Sequence, residues 1–174
     1  MGAMRHAALI GIAMLLGGAW TSARAANVSV PVPGTELYSP SHECFVKVLE
    51  DIGTHVLRAR LYADNRLVRD VHGAREMAWI DEVLVFAVSP VGGGDPGIYV
   101  WDCPRSTVRQ VLRPSRVSSA HPRGTDVYKL ERIDGDTLYY AHAPNVESPS
   151  LAQDLEQGVE SLRLAAPHAM LSLR

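Results

Sequence analysis

Hydrophobic and polar residues alternate with a period of two along much of this chain, which is the pattern of half-buried β-strands. In residues 54–63, Val56, Arg58, Arg60 and Tyr62 alternate with the residues between them, as expected for the two faces of one strand. Residues 83–88 (VLVFAV) are continuously apolar, and so short a run favours a central strand over a helix. The other predicted strands are residues 44–49, 67–71, 98–103, 107–112, 127–133 and 137–143.

Turn-forming residues separate these strands. Asp134-Gly135-Asp136 lies between two alternating segments and is the strongest hairpin signal in the chain. Residues 63–65 have the composition of a tight turn, and the glycine-rich residues 92–97 are predicted to form a loop. The prolines fall in loops or at strand boundaries, outside every predicted strand. The predicted fold class is therefore all-β, built from antiparallel meanders.

Residues 148–164 leave two interpretations open. Ser148 could cap a helix, and Leu151, Leu155 and Leu162 would share one helical face. Gly158 interrupts that pattern, and residues 159–164 fit a strand equally well. We favour a strand pair around a turn at residues 156–158, with one short C-terminal helix as the alternative.

A weak repeat with a period of 52–54 residues relates two parts of the chain. Phe86 and Tyr140 lie at equivalent strand positions 54 residues apart, and Asp102 and Asp154 precede equivalent turns 52 residues apart. Residues 84–114 (LVFAVSPVGGGDPGIYVWDCPRSTVRQVLRP) resemble a blade of the TolB-like and WD40-like β-propellers. Residues 150–164 (SLAQDLEQGVESLRL) are similar to the polar turn and outer strand of such a blade.

This resemblance covers about half of the mature chain and implies blade-like meanders. A closed propeller typically has about 4–8 blades, whereas this chain has room for about three. Either two chains complete a ring as a homodimer, or the meanders pack as a sandwich or an open barrel. The two families share no catalytic residues, so the resemblance transfers none to this chain.

The first 25 residues have the parts of a secretory signal peptide. Arg5 and His6 precede an apolar run from Ala7 to Ala19, and Ala23-Arg24-Ala25 places small residues before a cleavage site at Ala26. The apolar run is shorter than the roughly 20 residues that span a bilayer as a helix. We therefore predict one β-rich domain, residues 26–174, exported to the periplasm or outside the cell without membrane insertion.

Composition and charge exclude several classes of function. The chain is 47% hydrophobic and 21% charged, which is typical of a globular protein and unlike a disordered or collagen-like one. Since the leader contains Arg5 and Arg24, the mature chain has 15 basic and 19 acidic residues and a formal charge of −4. A mildly acidic chain without a basic cluster argues against nucleic acid as a partner.

The two cysteines, Cys44 and Cys103, both follow the leader. In an oxidising compartment two such thiols usually pair, so a disulfide is predicted, with two buried free thiols as the alternative. No histidine lies near either cysteine at ligand spacing, and no histidine pair has the spacing of a metal motif. The sequence therefore predicts neither a metal site nor a cofactor.

Catalytic motifs are also missing from the sequence. The nucleophile elbow Gly-x-Ser-x-Gly does not occur, and residues 92–97 lack the lysine of a phosphate-binding loop. His121 and His142 could meet in space, which is the basis of an alternative interpretation as a small secreted hydrolase with a site built from strand ends and loops. The balance favours a protein that is not an enzyme.

Aromatic and arginine residues on the predicted strands are the candidates for a binding surface. Arg58, Arg60 and Tyr62 share one strand face that cannot be core, and Tyr99 and Trp101 share a face of another strand. We therefore predict that these five residues form a protein-binding patch. The function expected from the sequence is an exported protein-binding module, such as an inhibitor or immunity-type partner of an envelope protein or toxin.

Overall fold

Short antiparallel strands form most of the part of the chain that the computed structural model describes, which is residues 25–50, 56–114, 126–143 and 160–164. The first six strands are β1 (Ala25–Ala26), β2 (Glu36–Tyr38), β3 (Cys44–Glu50), β4 (Leu57–Ala63), β5 (Arg66–His72) and β6 (Ala74–Ile80). The next six are β7 (Val83–Val88), β8 (Gly97–Asp102), β9 (Thr107–Leu112), β10 (Val127–Asp134), β11 (Thr137–Ala143) and β12 (Glu160–Arg163). A single 3-10 turn, Val91–Gly93, is the helical content of these residues, so the prediction of an all-β fold is confirmed.

The strands form three antiparallel sheets of four strands each. The N-terminal sheet has the order β2-β3-β4-β5, and the central sheet has the order β6-β7-β8-β9. The C-terminal sheet has the order β1-β10-β11-β12, so the first strand of the chain joins the last sheet. Two of the sheets are therefore simple meanders, as expected from the turn signals.

The central sheet lies between the other two sheets and has a hydrophobic core on each face. Leu84, Phe86 and Val88 pack with residues of the N-terminal sheet, among them Val46 and Leu61. Val85 and Ala87, on the opposite face of the same strand, pack with residues of the C-terminal sheet. This arrangement explains why residues 83–88 are continuously apolar, because neither face of β7 meets water. The resulting fold is sandwich-like.

The predicted hairpins are confirmed by backbone geometry. Asp134 pairs with Thr137, so Gly135 and Asp136 form the two-residue turn, and Gly135 has a φ of 59°. Asp64 and Asn65 both have positive φ, 49° and 61°, between β4 and β5. Two consecutive residues with positive φ suit the tight turns that match strand twist.

Strand β6, like the short strands β1 and β2, is not predicted by the sequence pattern. Glu76 lies inside this strand and is only 4% exposed, so a charged residue occupies a position where alternation leads one to expect an apolar one. Its carboxylate accepts a hydrogen bond from the amide of Leu130 in β10 and pairs with Arg75 at 3.2 Å. A register shift between Ala74 and Met77 further obscures the period of two.

The C-terminal part of the chain agrees in part with the sequence interpretation. Glu160–Arg163 forms a strand, as favoured, but it pairs directly with β11. In the first copy of the predicted repeat the equivalent strands, β7 and β9, are separated by β8. The two copies thus differ in strand order, while residues 144–159 and the predicted leader residues 1–24 lie outside the described part of the chain.

The predicted disulfide between Cys44 and Cys103 is present. It joins the start of β3 to the residue after β8, with a Cα–Cα distance of 6.1 Å, and so links the N-terminal and central sheets. Within the described residues, no helix has the length and hydrophobicity needed to cross a membrane.

Candidate functional site

The outward-facing side of the N-terminal sheet carries the residues with the chemistry of a binding surface. Val46, Val48, Ala59 and Leu61 point inward and are fully buried. Because side chains alternate along a strand, the residues between them point outward. We call this side the outer face; it consists of Glu36, Tyr38, Phe45, Lys47, Leu49, Arg58, Arg60, Tyr62, Leu67, Asp70 and His72.

A row of rings crosses the outer face at right angles to the strands. Tyr38, Phe45 and Tyr62 are cross-strand neighbours, with ring centroids 5.3 Å and 4.8 Å apart, and His42 stacks on Tyr38 at 5.2 Å. Leu67 lies opposite Tyr62 on β5 and extends the apolar row to the last strand of the sheet. We call these five residues the ring row. Tyr38 is 43% exposed and Leu67 is 53% exposed, so the row meets solvent.

The rings of this row pack on one another across the sheet. Phe45 has Tyr38 on one side and Tyr62 on the other, so both of its faces are occupied by neighbouring rings. The edge of an aromatic ring carries partial positive charge, whereas its face carries partial negative charge. Because neighbouring rings occupy both sides of Phe45, its free edge suits contact with carbonyl and carboxylate oxygens.

Two arginines beside the ring row share one carboxylate. Arg58 Nε donates to Asp70 Oδ1 at 2.7 Å, its Nη2 donates to Asp70 Oδ2, and Arg60 Nε donates to Oδ2 at 3.3 Å. The hydrogen bonds from Arg58 lower the pKa of Asp70 more than partial burial raises it. Two hydrogen bonds hold the guanidinium group of Arg58 and one holds that of Arg60, which reduces the entropy lost when a partner binds beside them.

The structure brings together Arg58, Arg60 and Tyr62, the sharper of the predicted candidates, on the outer face. It does not place Tyr99 and Trp101 with them. Trp101 has no exposed surface and Tyr99 is 6% exposed, because β8 is an inner strand of the central sheet. The prediction that these two rings form part of a binding patch is wrong for that reason; they pack in the core with the disulfide.

Sequence reasoning missed Tyr38, Phe45 and Asp70. The alternation of residues 44–49 showed that Phe45 and Val46 face opposite ways, but not which strand lies beside them. Pairing β3 with β4 in the observed register, Phe45 opposite Tyr62, would have revealed the row. Register is the missing signal, since a shift by one residue exchanges the two faces.

A small cavity of about 120 Å³ lies between the N-terminal and central sheets, next to β5. Its polar lining comes from Arg69, Asp70, His72, Asp95 and Tyr99, and its apolar lining from Val71, Phe86 and Val88. The glycine-rich loop packs beside it: a Cβ on Gly94 would lie 2.4 Å from the carbonyl oxygens of both His72 and Ser89. Close backbone packing thus explains a glycine at this position.

The strongest pair of titratable groups away from the outer face is Asp126 and His142. Asp126 is fully buried and its Oδ2 lies 3.0 Å from Nε2 of His142, whose ring stacks on Tyr128 at 4.5 Å. These residues lie at the open ends of β10 and β11, opposite the hairpin turn. His121, the other histidine named from the sequence, lies outside the described residues. A carboxylate that orients an imidazole is one of the elements of a Ser-His-Asp triad, and the pair supplies that element alone.

Metal-ligating side chains do not gather in the described ranges: no three His, Cys, Asp or Glu residues there lie close enough to hold an ion. Asp134 and Asp136 of the hairpin turn bind arginines instead, Arg132 at 3.0 Å and Arg163 at 2.9 Å.

Comparison with known proteins finds no relative: no family model, no curated protein and no solved structure matches this chain.

Proposed function

We propose that this protein is an exported module that binds another protein through the outer face of its N-terminal sheet. The observation that carries the proposal is the ring row beside the Arg58–Asp70–Arg60 cluster. Aromatic residues and arginines dominate the binding energy of protein interfaces, and here both kinds are held by neighbours on a flat sheet. The signal-like leader and the disulfide support export.

The kind of partner is inferred from the chemistry of the ring row and of the two arginines. Aromatic rings and hydrogen-bonded guanidinium groups match the apolar, carbonyl and carboxylate groups of a protein surface. An inhibitor or immunity-type protein acts through such a stoichiometric surface and needs no catalytic group of its own. We therefore place this protein in that class, with an envelope protein or a toxin as its target.

The proposal is tested first by photo-crosslinking in cells. Lys47 lies on the outer face with 47% of its side chain exposed, and Lys129 lies on the outward side of the C-terminal sheet with 37% exposed. A benzophenone amino acid replaces each lysine in turn. We expect one partner protein to be captured from position 47 and not from position 129.

The captured protein is then purified and its binding is measured by calorimetry. The double variant Arg60→Ala/Tyr62→Ser should weaken binding at least tenfold, since residues of this type cost more than about 1.4 kcal/mol at interface centres. The matched control is Arg132→Ala/Tyr139→Ser, which removes the arginine–tyrosine pair of the C-terminal sheet, 3.9 Å from Cζ to ring centroid. Equal affinity of both variants and the wild type would refute the proposal.

The alternative function, a small hydrolase, is favoured by one observation, the buried Asp126 bound to His142. If it is correct, purified protein turns over a simple ester, and His142→Asn abolishes turnover while the thermal unfolding midpoint changes little. No turnover by the wild type across a panel of esters, amides and glycosides removes this alternative.

A further inference from the structure

Strand β5 is the last strand of the N-terminal sheet, and no described strand pairs with its outer edge. The amide of Gly73 donates to the carbonyl of Leu57 at 3.0 Å, and hydrogen-bonded pairs alternate along an antiparallel ladder. The amides of Val71 and Arg69 therefore face β4, and the amide of Asp70 faces away from it. At His72 the edge is covered, because Gly94 packs against the backbone carbonyl of His72. We call the uncovered part of the edge, from Arg66 to Asp70, the open stretch.

The side chains of this open stretch have a consistent pattern. Arg66 and Arg69 are exposed, and neither forms an ion pair with a described residue. They lie opposite Ala63 and Leu61, on the inward side of the sheet, whereas Leu67 lies opposite Tyr62 on the outer face. The inward side of the edge thus carries two arginines, whereas on the outer face Leu67 continues the ring row and Asp70 is held by Arg58.

Arginines on an edge strand also have a purely protective explanation, because like charges prevent two edges from pairing. That explanation accounts for Arg66 and Arg69, since a second copy of β5 would bring arginines together. It does not account for Leu67, which is 53% exposed between them on the opposite side. The arginines would repel β5 of a second copy of this chain, but they would attract an acidic strand. Leu67 would offer such a strand an apolar contact.

We propose that β5 receives an extended acidic segment of the partner protein as a fifth strand of the N-terminal sheet. This inference rests on the proposed function and names the chemistry of the partner. Because side chains of a strand alternate, a segment with acidic and apolar residues in turn would place its carboxylates beside Arg66 and Arg69 and its apolar groups beside Leu67.

Synthetic peptides test this mode of binding directly. The probe is acetyl-(Glu-Val)4-amide, and its binding to the full protein is followed by isothermal titration calorimetry. Two control peptides accompany it: acetyl-(Lys-Val)4-amide, and the Glu-Val peptide methylated at every backbone nitrogen. In a third comparison, the Glu-Val peptide is added to the protein variant Arg66→Ala/Arg69→Ala. The conservative variant Arg66→Lys/Arg69→Lys keeps the charge of the edge.

We expect the Glu-Val peptide to bind, the Lys-Val and methylated peptides not to bind, and the alanine variant to lose about tenfold in affinity. The lysine variant should retain most of the affinity. Hydrogen exchange at the amide of Asp70 should slow when the peptide binds, because this amide gains an acceptor. Equal binding of the methylated peptide would show that the backbone of β5 is not used and would overturn the inference.

The outcome separates this inference from the proposed function. A partner captured from Lys47 that depends on Arg60 and Tyr62 but is indifferent to Arg66→Ala/Arg69→Ala supports the outer face and rejects strand addition at β5. A partner that depends on neither pair of residues rejects both proposals.

Discussion

The disulfide between Cys44 and Cys103 should contribute a large part of the stability of this protein. The two cysteines are separated by 59 residues and join sheets that otherwise meet through a hydrophobic core. In the chain-entropy model a cross-link of this span restricts the unfolded chain by about 14 cal/mol/K, which corresponds to roughly 4 kcal/mol at 25 °C. Since folded domains are stable by about 5–15 kcal/mol, such a loss leaves little margin.

Two perturbations separate the cross-link from the packing of the sulfur atoms. Reduction of the wild type breaks the S–S bond but keeps both side chains, which are 1% and 4% exposed in the core. The variant Cys44→Ala/Cys103→Ala removes the sulfur atoms as well. Urea unfolding of the oxidised wild type, the reduced wild type and the variant then gives both contributions from three free energies.

We expect reduction to lower the free energy of unfolding by about 4 kcal/mol and the unfolding temperature by roughly 10 °C. The alanine variant should be less stable than the reduced wild type, because truncation of buried side chains leaves cavities. A loss below about 1 kcal/mol on reduction would refute the loop-entropy argument. Two titratable thiols in the oxidised protein would refute the disulfide itself.

Three further predictions concern single residues. Trp101→Ala should cost about 3–5 kcal/mol in urea unfolding, because the side chain is fully buried; a cost below about 1 kcal/mol would contradict its place in the core. Gly94→Ala should cost about 1–3 kcal/mol, because its Cβ would lie 2.4 Å from two carbonyl oxygens, and an unchanged unfolding midpoint would contradict that packing. Asp70→Asn should destabilise the protein at pH 7, and progressively less as the pH falls below 3.8. The lowered pKa means that the ion pair with Arg58 stabilises the folded state above the ordinary aspartate pKa of 3.8 and loses this effect as the pH falls through the folded value; a pH-independent difference would argue against the ion pair.

The sequence predicted those strands whose period and turns agree. The predicted bounds of β7, β9 and β11 coincide with the observed ones, because each is flanked by turn residues. Strand β6 was not predicted because it contains a buried charged residue, Glu76. The Glu76 carboxylate forms an ion pair with Arg75 and accepts a hydrogen bond from a backbone amide of another sheet. A contact of that kind depends on the tertiary arrangement, and no local pattern contains it.

The sequence predicted part of the candidate site, namely the residues that strand alternation separates from the core. Alternation alone separated Arg58, Arg60 and Tyr62 from the core, since charged residues at every second position cannot all be buried. It could not show that β8 is covered on both faces, so Trp101 was assigned to a surface that does not exist. The resemblance to propeller blades stays a prediction, because four-stranded meanders are common to many all-β folds.

The stacking of the sheets determines where this protein can present a binding surface. The central sheet has a core on each face, so its side chains contribute stability and not recognition. On the outward side of the C-terminal sheet, Val127, Ala141 and Ala143 are at most 5% exposed and Lys129 is 37% exposed, and none of the exposed large apolar residues of the described chain lies there. The N-terminal sheet differs: Tyr38 and Leu67 on its outer face are among the few exposed large apolar residues. The proposed protein interface would cover both of these side chains, which lie beside two ordered arginines.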